Sequence, residues 1–206
     1  MSDIDGYSSS NLNKYQCGQS FAVHRIGAFS ERLFEMVSQV DHARILNLGC
    51  GEGFDMNKLF RDRPIQFDFG CGLDSNINSL MYSRKLLADF EFHPINGDIE
   101  HLPVKLDSFD LILCLEVLEH LDDPDQVLRE ISHRFNGHCL FSVPNEPLYR
   151  LTRMFLLRKN IRQLGNHPEH LKNWSKRAFC LFVGRYFVLD SVLTTFPWTI
   201  VLCHKG

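Results

Sequence analysis

The sequence predicts an α/β protein whose sheet is mainly parallel and covered by helices on both faces, and three observations carry that expectation. Strand-like and helix-like stretches alternate from Arg44 onward. The strand-like ones, such as "FDLILCL" at 109–115, are apolar throughout rather than at alternate residues. The first of them runs straight into a glycine turn, "GCGEG" at 49–53. Alternation builds β-α-β units, and a strand apolar on both sides is buried on both faces.

The elements follow in order. Residues 1–25 are rich in Ser, Asn, Gly and Gln and are expected to form a mobile N-terminal segment. Ile26, Phe29, Leu33, Phe34, Val37 and Val40 recur at helical spacing and predict an amphipathic helix leading into a domain that spans 26–206. Then come a strand at Arg44–Leu48, a helix at Asp55–Arg61, a strand at Gln66–Leu73 and a helix at Ile77–Phe90. Strands at Glu91–Ile95 and Phe109–Leu115 precede a helix at Pro124–Arg134 and a strand at His138–Val143. The rhythm breaks at 144–174, where Pro144, Pro147, Gly165 and Pro168 surround one helical piece, and this reads as an insertion or lid. A helix near Lys176–Arg185 follows, then strands at Phe187–Thr194 and Trp198–His204, close enough to be an antiparallel hairpin.

Size and composition bound the function. A chain of 206 residues, 44% apolar and 23% charged, fills one core and falls among globular proteins. A net charge of −3 excludes a global pull toward nucleic acid or anionic membrane. The seven cysteines are scattered without a C-x-x-C pair, which fits a reducing cytoplasm, and no apolar run approaches the roughly 18 residues of a spanning helix.

The glycine turn carries the chemistry. A strand that ends in tight glycines and leads into a helix brings backbone N–H groups to the C-terminal edge of the sheet, where doubly wound folds bind ligands. A dinucleotide site prefers G-x-G-x-x-G; here Gly49, Gly51 and Gly53 make G-x-G-x-G, and position 54 is Phe. Asp74 closes the second strand, where a carboxylate accepts both ribose hydroxyls; the competing reading of "DSN" is a helix cap. Asp98 follows the third strand, placed to accept from an adenine amine. Two carboxylates beside a glycine turn favour adenosine joined to a cationic group over adenosine joined to pyrophosphate, which points to S-adenosylmethionine.

The runs "RILNLGCGEGF", "GLDSN", "NGDIEHLPVKLDSFDLILCLEVLEHLDDPDQVLREI" and "LFSVPNEP" together resemble class I S-adenosylmethionine-dependent methyltransferases, in the small bacterial-type branch that includes ubiquinone-biosynthesis O-methyltransferases. The resemblance spans roughly 26–204 and implies a Rossmann-like seven-stranded sheet of order 3-2-1-4-5-7-6 with the last strand antiparallel. It implies that Gly49, Gly51 and Gly53 approach the methionine part of the cofactor, Asp74 the ribose and Asp98 the adenine amine, with the backbone of Cys114, Leu115 and Glu116 flanking the methionine. The family's first strand usually carries Asp or Glu where this chain has Asn47, which still accepts a hydrogen bond from the ammonium but supplies no charge.

"EVLEH" sets Glu116, Glu119 and His120 at i, i+3 and i+4, on one face if the segment is helical. Three readings stand: local structural contacts, His120 as general base, or a divalent metal held by Glu116, Glu119, His120 and His167 or His170, which would resemble small-RNA 2′-O-methyltransferases. Eight cations from Arg150 to Arg177 read as a solvated face, or as a lid for an anionic or lipid-linked acceptor. Trp174, Phe196 and Trp198 read as core rather than as a substrate platform.

The sequence therefore predicts methyl transfer from S-adenosylmethionine, chiefly to oxygen of a small or carrier-linked acceptor, with nucleic acid disfavoured. The alternatives are metal-assisted RNA ribose methylation and a non-catalytic S-adenosylmethionine-binding partner subunit. A nicotinamide dehydrogenase is disfavoured by Phe54 and Asp98. The acceptor and the oligomeric state are not legible.

Overall fold

The computed structural model describes residues 20–62, 65–145 and 174–206. Seven strands form one sheet in the order β3-β2-β1-β4-β5-β7-β6. They are β1 (Arg44–Leu48), β2 (Phe69–Asp74), β3 (Phe92–Asn96), β4 (Leu111–Leu115), β5 (His138–Pro144), β6 (Val188–Thr195) and β7 (Trp198–His204). All neighbouring pairs are parallel except those of β7, which runs antiparallel to both β5 and β6. Five α-helices lie among the described residues: α1 (Ser20–Val37), α2 (Phe54–Arg61), α3 (Ile77–Leu86), α4 (Pro124–Arg134) and α5 (Lys176–Val183).

Side chains alternate along each strand and so split the core in two. On one face Leu46, Leu48, Ile112, Cys114, Cys139, Phe141 and Val201 pack against Val127, Leu128 and Ile131 of α4 and Phe179, Phe182 and Val183 of α5. On the other, Ile45, Leu111, Leu113, Leu140, Ile200 and Leu202 pack against Leu33 and Met36 of α1, Met56 and Leu59 of α2 and Leu80 of α3. β4 is buried at every residue, which is why its sequence shows no polar alternation. Edge strand β6 is exposed or half-buried throughout.

Caps fix the helix starts. Asn76 accepts from the amides of Asn78 and Ser79 to begin α3, Asp123 accepts from Gln126 with Pro124 at the first position of α4, and Ser175 accepts from Ala178 to begin α5.

Several boundaries differ from expectation: β2 starts at Phe69 rather than Gln66, and α5 ends at Val183 rather than Arg185. Helix α1 begins at Ser20 rather than Ile26, so residues 20–25 extend the helix; nothing between Phe21 and Arg25 is Gly or Pro, and the helix propagates. Strand β4 starts at Leu111, because Leu106–Ser108 form a 3-10 turn; Asp110 just before it donates its amide to the Arg44 carbonyl at 2.8 Å, and its carboxylate accepts the Arg44 amide at 2.8 Å. Helix α3 stops at Leu86, with Leu87 as its cap, short of the anticipated Phe90. Most of the expected insertion, and residues 1–19, lie outside the described residues.

Candidate functional site

The parallel strands bring the ends of β1, β2, β3 and β4 to one edge, with the start of antiparallel β7 beside them. Asn47 is buried within β1, level with Gly72 of β2 and Leu113 of β4. After Leu48 the chain turns through Gly49, Gly51 and Gly53, with φ of 71°, 49° and 79°. Each angle is left-handed and would cost an L-residue about 1–2 kcal/mol. The amides of Gly49 and Cys50 both donate to the Leu73 carbonyl, at 2.7 and 3.1 Å, which straps the turn to the end of β2.

Space separates the three glycines. A Cβ on Gly49 would lie 2.4 Å from Cγ2 of Val117, and one on Gly53 would lie 2.6 Å from Oγ of Ser83. A Cβ on Gly51 would meet nothing within 4 Å. Two glycines thus serve close packing within the protein. The middle one faces open space, leaving backbone approachable by a ligand.

Asp74 joins this turn directly. Its Oδ2 accepts the Gly51 amide at 2.8 Å and its Oδ1 accepts the Asn76 amide at 2.8 Å. The cap of α3 is Asn76, which removes the helix-cap reading of Asp74 and leaves a half-buried carboxylate at the strand end with lone pairs to spare. Asp98 begins a 3-10 turn at Ile99–His101: its Oδ1 accepts the Glu100 amide at 2.9 Å and its Oδ2 pairs with His101 Nδ1 at 2.9 Å. The His101 hydrogen bond holds the Asp98 carboxyl below the usual carboxylate range, and the Asp98 hydrogen bond raises the imidazole.

At the end of β4, Cys114 is fully buried and its thiol is pushed far up by desolvation, so it acts as packing. Leu115 is also buried. Glu116 takes φ of 59°, a strained setting for a non-glycine residue. Its amide donates to the Ser142 carbonyl at 3.1 Å, and its Oε2 accepts Nε1–H of Trp198 at 2.5 Å. Trp198 packs tilted on Phe29 of α1 at 5.0 Å between ring centroids. The Arg25 guanidinium lies over Phe196 and Trp198 at 5.2 and 5.3 Å.

This aromatic wall differs from the expected core role for Phe196, which is exposed, and Trp198, which is half-buried with its N–H turned to the site. Trp174 does pack as core, against Phe179 and Phe182. The Trp198 bond spans 82 residues, and no spacing rule reaches it. The order β4-β5-β7 is the one signal that places the two near each other.

"EVLEH" is a turn rather than a helix, because the left-handed Glu116 ends β4 and the His120 amide closes back on the Val117 carbonyl at 2.9 Å. Glu119 is buried and His120 exposed, so the three side chains do not share a helix face. Among the described residues they do not converge as a metal-binding group. His167 and His170, and six of the eight cations at 150–177, lie outside the described residues; Lys176 and Arg177 are exposed on the first turn of α5.

The profile of a family described as "Methyltransferase domain" matches residues 39–182. A ubiquinone biosynthesis O-methyltransferase of Hydrogenovibrio crunogenus is 21% identical over 132 residues, covering 63% of this chain and 54% of that protein. A tRNA U34 carboxymethyltransferase of a Geobacter species is 30% identical over 104 residues, covering 49% of this chain and 31% of that one. The chain thus spans about half the length of the first curated relatives it matches. The crystal structure of PH0226 protein from Pyrococcus horikoshii superposes with a TM-score of 0.72 at 16% identity, covering 97% of this chain and 100% of that one, which is a likeness of fold.

Proposed function

This chain belongs to the methyltransferase-domain family, whose members draw on S-adenosylmethionine, and from that premise we propose that it transfers a methyl group to an oxygen of a small or carrier-linked acceptor. The observation that carries the reading is Gly51: its α-carbon faces open space while its amide holds the Asp74 carboxylate. That pairing suits the junction between the amino-acid and ribose parts of an adenosyl ligand, and a pyrophosphate there would meet a carboxylate instead of a cation.

The residues divide the binding work. Gly49, Gly51 and Gly53 shape the backbone cradle for the methionine part, and Asn47 accepts from its ammonium. Asp74 accepts the ribose hydroxyls and Asp98 the adenine amine, while the backbone of Cys114, Leu115 and Glu116 forms the wall beside the methionine. When bound, S-adenosylmethionine supplies a sulfonium methyl with a neutral thioether as leaving group, so transfer depends on in-line positioning and exclusion of water more than on acid catalysis. A hydroxyl acceptor must also lose its proton, and His120, exposed beside the end of β4, is the candidate base.

The names of the first curated relatives support oxygen as the methylated atom and a small molecule as its bearer. The cysteines of the described residues are free thiols and no described helix is long and apolar enough to cross a membrane, which supports a cytoplasmic setting. One relative named for tRNA supports RNA as the second acceptor class.

The test is transfer of labelled methyl from S-adenosylmethionine to two acceptor sets, small phenols or carrier-linked hydroxyls and total small RNA, before and after exhaustive chelation. Label in the hydroxyl set, undiminished by chelation, is the expected result. Label in RNA that vanishes on chelation moves the assignment to metal-assisted ribose methylation. Binding without label in either set moves it to a partner subunit.

A further inference from the structure

The opposite edge of the sheet carries a second cluster that methyl transfer does not use. His138 is the first residue of β5 and pairs directly with His204, the last residue of β7, their rings 5.8 Å apart. On β6 the ladder is irregular between Leu189 and Ser191, and Asp190 is the residue passed over. Such an irregularity re-aims a side chain. Here the Asp190 carboxylate faces His204, with both oxygens 2.8 and 2.9 Å from His204 Nδ1. One ligand atom from each of the three residues lies within 4.8 Å of the others.

We propose that His138, Asp190 and His204 form a site for a divalent transition-metal ion of the Zn²⁺ type. Two imidazoles and one carboxylate are donors of intermediate softness, suited to Zn²⁺ and its neighbours rather than to the all-oxygen preference of Mg²⁺ or Ca²⁺. Three protein ligands and a water complete a tetrahedron. At metal–ligand lengths of about 2.0–2.2 Å, two donors stand no more than about 4.4 Å apart, so a small rotation of the His138 ring closes the set. The ion takes the place of the hydrogen between His204 Nδ1 and Asp190, the neutral imidazole then carrying its N–H on Nε2. His138 and His204 are half-buried and Asp190 is exposed, which leaves the fourth position open to water. The effect is to clamp β5, β7 and β6 together at the base of the C-terminal hairpin. The site is separate from the glycine-turn edge, and it stands whether or not the acceptor assignment above holds.

The test uses the full untagged chain, stripped of metal and titrated with Zn²⁺ and with Co²⁺. One ion per chain is expected, with the strong visible bands of four-coordinate Co²⁺ and a rise in the midpoint of thermal unfolding. His138→Ala and His204→Ala each weaken binding by more than about tenfold, the scale on which even residues behind the ligands act, and abolish the metal-dependent rise. Asp190→Asn weakens binding in the same direction while leaving the metal-free protein folded. The double variant His167→Ala with His170→Ala binds as the parent does. Absence of saturable binding to the folded parent, or binding that survives His204→Ala and is lost with His167 and His170, overturns the proposal.

Discussion

Substituting alanine at two glycines of the turn separates the part that holds the fold from the part that meets the ligand. At Gly49 the new methyl would lie 2.4 and 3.2 Å from the two γ-carbons of Val117, so either Val117 leaves its rotamer or the turn shifts. The left-handed φ of 71° adds about 1–2 kcal/mol and overpacking about 1–3 kcal/mol, for a total of about 2–5 kcal/mol. At Gly51 the left-handed φ remains, but there is nothing within 4 Å to strike, so the stability cost is only about 1–2 kcal/mol. A ligand lying over Gly51, however, must move away from that methyl, at about 1–3 kcal/mol or roughly 5- to 150-fold in affinity. Urea denaturation gives the first quantity, and calorimetric titration with S-adenosylhomocysteine the second. Gly51→Ala is expected to keep most of its stability and lose most of its affinity. A Gly51→Ala protein that binds like the parent would refute the placement of the ligand over this residue.

Three further outcomes follow. If the proposed contact to the ligand ammonium holds, Asn47→Asp adds a charge to it and tightens S-adenosylhomocysteine binding by about 1 kcal/mol, roughly fivefold; unchanged or weaker binding in the titration counts against that contact. Trp198→Phe removes the indole bond to Glu116 while keeping the ring on Phe29, and is expected to cost about 1.5–3 kcal/mol in urea denaturation, the scale of a charge-assisted bond. For Asp98 and His101 the shifts have opposite signs. The raised imidazole contributes stability below its unfolded value that is lost as pH climbs, and the lowered carboxylate contributes stability above its unfolded value that is lost as pH falls. The pair is therefore strongest from about pH 4 to 6.5, and an NMR titration of His101 is expected to read high in the parent and return to the ordinary value in Asp98→Asn.

The fold was legible because its signals are repeated and local. Apolar runs with no alternation marked the buried strands, and the α4 start was written in Asp123 and Pro124. The strand order came with the family resemblance rather than from periodicity, and the structure reproduces it, with β7 antiparallel. The positions of the proposed cradle were legible because Gly49 follows β1, Asp74 closes β2 and Asp98 stands just past β3.

What was not legible depends on distance through the sequence or on conformation at a single residue. Nothing in "EVLEH" announces that Glu116 adopts a left-handed φ, and without it the segment reads as a helix with three chemically suggestive groups on one face. Trp198 reads as core because its polar end matters only once β7 is threaded antiparallel beside β5, bringing the indole to Glu116. The Asp74 bond to the Gly51 amide likewise joins residues 23 apart, and it turned an ambiguous "DSN" into a ribose candidate.

The most direct test is a calorimetric titration of the full chain with S-adenosylmethionine and S-adenosylhomocysteine, run beside Asp74→Ala. One ligand per chain, bound by the parent and weakened at least about tenfold by Asp74→Ala, is the predicted result, since a charge-assisted bond is worth about 1.5–3 kcal/mol. No heat of binding from the folded parent with either ligand would contradict the assignment of this edge of the sheet as an adenosyl site.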